Sequence, residues 1–79
     1  MDPGISRQVL RATFRSSRQL QDLLPILKAH CTAEEYQEFS RAIAAVIAEG
    51  GLQILNRVFA EHPELEAEVD HAVARNGRY

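Results

Sequence analysis

Residues 32–61 read TAEEYQEFSRAIAAVIAEGGLQILNRVFAE, and the two adjacent glycines near the middle, Gly50 and Gly51, decide how the chain folds. Thr32 and Glu35 have the spacing of a capping box, in which hydroxyl and carboxylate each satisfy the other residue's backbone N–H. Glu34, Glu35 and Glu38 come next in the first two turns, where negative charge suits the positive end of the helix dipole. On a wheel of about 100° per residue, Tyr36, Phe39, Ile43, Val46, Ile47, Gly50, Ile54 and Val58 fall in a sector roughly 120° wide. A loop at 50–51 would scramble that alignment, so the spacing predicts one continuous helix over 33–61, bent at the glycines. Two helical glycines cost about 2 kcal/mol relative to alanine. Gly50 lies in the apolar sector, where a second helix can approach closely. Past the glycines, Leu52, Leu55 and Phe59 widen the apolar surface to about half the cylinder, which calls for cover on two sides.

Upstream, residues 5–30 carry a helical pattern with two defects. Ile5, Val9, Ala12, Leu20, Leu23 and Leu27 share a face, whereas Leu10 and Phe14 fall off it. The Ser16–Ser17 pair predicts a break, giving helices over about 6–15 and 17–30, and Pro25 predicts a kink in the second. Met1–Gly4 reads as a frayed lead-in, with Ser6 as a cap. Downstream, His62–Pro63 is the sharpest boundary. The residue before a proline avoids helical geometry, and proline suits the first position of a helix. A last helix is expected over 63–75, striped by Leu65, Val69, Ala72 and Val73 and stopped at Asn76–Gly77.

Seventy-nine residues make one domain, 1–79. Area scaling predicts a folded surface of roughly 4,800 Å², marginal for a lone core. With a single cysteine, Cys31, no intrachain disulfide is available to stabilise it. The abundance of Ala, Leu, Glu, Gln and Arg, with little strand-like alternation, points to an all-α fold. The expected architecture is a small bundle of three to four helices around one long central helix, completed by dimerisation. The self-association surface is expected at Gly50, Ile54, Leu55, Val58 and Phe59. The longest unbroken apolar run, Ala42–Ala48, is far short of the ~20 residues that span a bilayer. No membrane span is expected, and a cytoplasmic location is the default.

Charge is unevenly spread. Residues 1–31 hold five basic and two acidic side chains, and residues 32–70 hold two basic and nine acidic. Arg7, Arg11, Arg15 and Arg18 line one side of the N-terminal segment and offer contact with an anionic partner. Nucleic acid is the alternative partner there, bound through its phosphates, although the net charge of −2 opposes it.

Catalytic groupings are not evident. His30 and Cys31 are neighbours that point in different directions on a helix. His62, Glu66, Asp70 and His71 lack the spacing of a known metal signature. The carboxylate pairs Glu34/Glu38 and Glu64/Glu68 have no apolar pocket to raise a pKa. The glycine pair lacks the flanking residues of a phosphate loop. The expected role is therefore protein–protein association as a homodimer, an adaptor, regulator or accessory subunit that also holds another protein. No enzyme activity, cofactor or metal is expected.

Overall fold

A computed structural model describes residues 1–79 and shows an all-α chain of three helices with no strand. Helix α1 spans Pro3–His30. Helix α2 runs over Ala33–Glu61. It is α-helical over Ala33–Val46, makes one π-helical turn over Ile47–Gly51, and is α-helical again over Leu52–Glu61. Helix α3 spans Pro63–Asn76.

The helix ends obey local chemistry. At the start of α2, the Glu35 N–H donates to Thr32 Oγ1 at 3.1 Å, and the Thr32 N–H donates to Glu35 Oε1 at 2.8 Å. The two Thr32 contacts, backbone first, hold the Glu35 carboxyl below its usual range. At His62 the backbone leaves helical geometry, and Pro63 opens α3. Gly77 ends α3 in the left-handed conformation at φ 76°, its N–H donating to Val73 O at 2.8 Å. That geometry favours glycine because it has no Cβ to clash.

The N-terminal half departs from expectation. A single helix runs from Pro3 through Ser16–Ser17 and Pro25 to His30, in place of two helices over 6–15 and 17–30. Two serines cost an α-helix about 1 kcal/mol, less than nucleating a second helix. Nor is the start frayed, because Pro3 occupies the first turn, where its missing N–H is not needed. Ser6 lies inside the helix rather than at its cap.

Leu10, Val58, Leu65 and Val69 form the core, one position from α1, one from α2 and two from α3. Leu10 is fully buried and Phe14 packs against this cluster, although both fall off the α1 stripe that the sequence marks as core-facing. The stripe itself is divided, with Ile5 45% and Leu23 43% exposed while Val9, Leu20 and Leu27 are half-buried and Val9 packs against the core. Helix α1 is thus rotated so that its seam with α2 runs beside the main stripe.

Ser6 is completely buried, and its hydroxyl has no hydrogen-bond partner. An unpaired buried polar group costs about 1–3 kcal/mol, and alanine is also the better helix former. Ser6→Ala is expected to raise stability by about 1 kcal/mol, seen as a higher urea midpoint at unchanged slope.

Candidate self-association surface

The π-helical turn fixes which side chains of α2 meet α1. Bonding i to i+5 accommodates one more residue than an α turn, so the helix beyond Gly51 is turned back by roughly 100°. The positions that lose solvent along α2 are Tyr36, Ser40, Ile43, Ile47, Gly51, Leu55, Val58 and Phe59. A regular α count puts Ile54 in line with Ile43 and Ile47. The extra residue brings Leu55 there instead and swings Ile54 out to 42% exposure. The continuous helix through the glycines is present, but its apolar sector does not keep the phase that the sequence suggests.

Gly51, rather than Gly50, is the glycine facing α1. A Cβ added at Gly51 would sit 4.0 Å from Ser17 Oγ, whereas one added at Gly50 meets nothing within 4 Å. Two open grooves flank this crossing. The first, of about 420 Å³, is lined by Val9, Ala12, Ser16 and Leu20 of α1 and by Val46, Gly50 and Ile54 of α2, among others. The second, of about 560 Å³, is lined by Phe14, Gln21 and Leu24 of α1 and by Ala44, Leu52 and Leu55 of α2, among others.

Helix α3 packs on the core beside Val9 of the first groove and Phe14 and Leu55 of the second. Phe14 stacks against Tyr79 with ring centroids 5.8 Å apart. Arg7, one turn before Leu10, donates from Nε to both Glu68 oxygens of α3, at 3.0 and 3.2 Å. Both grooves are lined by α1 and α2 residues alone.

Of the residues expected to self-associate, Gly50 and Ile54 line the first groove and Leu55 the second. Leu55 and Phe59 also pack against the core and are only half-buried. Val58 needs correction, because at 2% exposure it belongs to the chain's own core and offers no surface. The missed surface residues are Val46, 58% exposed, and Leu52, 54% exposed. The glycine pair lies in the π turn that sorts these side chains to opposite sides of the seam, but a glycine pair does not distinguish a π turn from an α turn.

The arginine stripe is divided. Arg7 is engaged by Glu68, and the Arg11 guanidinium sits 5.5 Å from the Tyr79 ring centroid. Arg15 is exposed and Arg18 half-buried. The Tyr79 hydroxyl donates to Glu68 Oε2 at 3.2 Å. Burial first, and then the Glu68 charge, push that hydroxyl above its usual range. Half of the stripe therefore ties α1 to the C-terminal residues.

At the other end of the core, His62 Nε2 lies 2.7 Å from Met1 O and Nδ1 lies 3.2 Å from Glu64 Oε1. Both partners, a carboxylate and a backbone carbonyl, are acceptors. The Met1 ammonium meets Glu61 Oε1 at 3.1 Å, and this contact holds the Glu61 carboxyl below its usual range. His62 is thus part of the α2–α3 corner.

Helix α2 is long and apolar enough to cross a membrane by length and composition, with mean hydropathy 1.3 over an 18-residue window. The short run Ala42–Ala48 understates this because it stops at Glu49. Searches of protein families, curated proteins and solved structures return no match to this chain.

Proposed function

We propose that the chain is a small protein–protein association module that works as a homodimer and carries no chemistry of its own. The observation that supports this reading is uncovered surface. The single chain exposes 5774 Å². A monomer of 8.9 kDa is expected to expose roughly 4,800 Å². The excess of about 1,000 Å² is close to the ~800 Å² per partner of a standard stable interface. The shape agrees, with a radius of gyration of 14.8 Å. A compact chain of this length would have about 11.6 Å. Only six of 79 residues are buried, so the chain's own core is small.

A second protein surface suits this face better than lipid. The apolar stretch of α2 is interrupted by Glu49, Gln53, Asn56 and Arg57. Charges at bilayer depth are costly and normally face other protein. In a soluble dimer they stay at a wet rim while Val46 and Ile54 are covered.

The expected result is a mass of two chains in sizing with light scattering at about 100 μM, falling toward one chain on dilution. A strictly monomeric chain at that concentration overturns the reading. So does a chain that is monomeric in buffer and sediments with phosphatidylcholine–phosphatidylglycerol vesicles.

A further inference from the structure

We infer that the second copy docks on the first groove, with α1 of each copy lying across α2 of the other. This rests on the proposed homodimer and assigns its face and orientation. Parts of the α1 and α2 apolar stripes converge there, some of them strongly exposed. From α1 come Val9 and Leu20, with Ile5 and Leu23 further along the same stripe. From α2 come Val46, 58% exposed, and Ile54, 42% exposed. The second groove holds one strongly exposed large apolar side chain, Leu52, against the two of the first.

Charge selects between the two symmetric ways of stacking the hairpins. Helix α1 carries five basic side chains, of which Arg7 is already paired with Glu68, and one acidic, and α2 carries two basic and five acidic. A two-fold axis along the hairpin puts each basic helix over the partner's acidic one. All neighbouring helices are then antiparallel, as in a four-helix bundle. An axis across the hairpin would put α1 on α1 and α2 on α2, like charge on like charge. Complementary fields favour the first arrangement and reject the second. Gly50 lies in the groove with open space beyond its missing Cβ, so the partner's side chains can come close to the backbone there.

Gly50→Leu separates this interface from the fold. A side chain at residue 50 meets nothing within the chain, and removing a helical glycine favours the helix. The expected outcome is a dissociation constant raised about 100-fold or more, with circular dichroism of the single chain undiminished. Val46→Glu should act alike, and Leu52→Glu, on the opposite groove, should leave the dimer intact. In a Cys31→Ser background, mixed Leu20→Cys and Val46→Cys chains should form an interchain disulfide on oxidation. A wild-type monomer overturns the homodimer reading itself. A wild-type dimer that survives Gly50→Leu and Val46→Glu but is split by Leu52→Glu overturns the face assignment alone. Mixed Leu20→Cys and Val46→Cys chains that dimerise but do not cross-link overturn the orientation.

Discussion

Val58→Asp is expected to destabilise the fold severely, by about 3–5 kcal/mol. Val58 is 2% exposed and sits in the four-residue cluster that joins all three helices. An aspartate there has no cationic partner within that cluster of Leu10, Leu65 and Val69. A buried carboxylate must either stay ionised without hydration or take up a proton at the cost of a large pKa shift, and in both cases the valine packing is lost. Breaking buried packing in this way costs about 3–5 kcal/mol. At roughly 0.05–0.15 kcal/mol per residue, a chain of this length holds only about 4–12 kcal/mol in total. Thermal scans by circular dichroism should place the cooperative transition at a far lower temperature or lose it. Val46→Asp is the control, since Val46 is 58% exposed and its replacement should leave the single chain folded. A Val58→Asp chain that melts cooperatively within a few degrees of wild type would show that the core lies elsewhere.

The contrast between Val58 and Val46 shows where sequence reasoning succeeds. Helix ends are legible because they depend on residues a few positions apart. Thr32 and Glu35 cap each other, Pro63 starts α3, and Gly77 stops it, each through its own backbone chemistry. Ser16–Ser17 misleads because its weak local preference is overridden by one long helix whose Ser17 packs toward Gly51. Leu10 and Phe14 look peripheral on the wheel because the wheel finds the longest apolar stripe, and that stripe is only partly covered within the chain. A stripe can be apolar for a partner's sake as readily as for the chain's own core. The candidate surface is half legible for a related reason. Phase alone finds Gly50 and Ile54, but it also places Val58 on the surface, because a uniform 100° step cannot register one extra residue.

That extra residue leads to the last expected result, from changing the length of α2 by one. Deleting Gly50 should convert the π turn Ile47–Gly51 to an ordinary α turn. The regular helix then delivers Leu55, Val58 and Phe59 to the same side as Ile43 and Ile47, because the deletion removes the residue that the wider turn accommodates. Gly51 remains to face Ser17. The chain should fold, with stability unchanged or about 1 kcal/mol higher for the loss of a helical glycine. Inserting one alanine after Gly50 should do the opposite. The wide turn already holds one surplus residue, and a second would rotate the distal half of α2 by roughly 100°. Val58 would leave Leu10 and Leu65, and α3, joined to α2 at Pro63, would be carried away with it. The loss should be about 3–5 kcal/mol, comparable to emptying a core position. Urea denaturation of the two variants beside wild type distinguishes the cases. If deletion unfolds the chain and insertion is tolerated, the π turn is not what sets the register of α2 against α1.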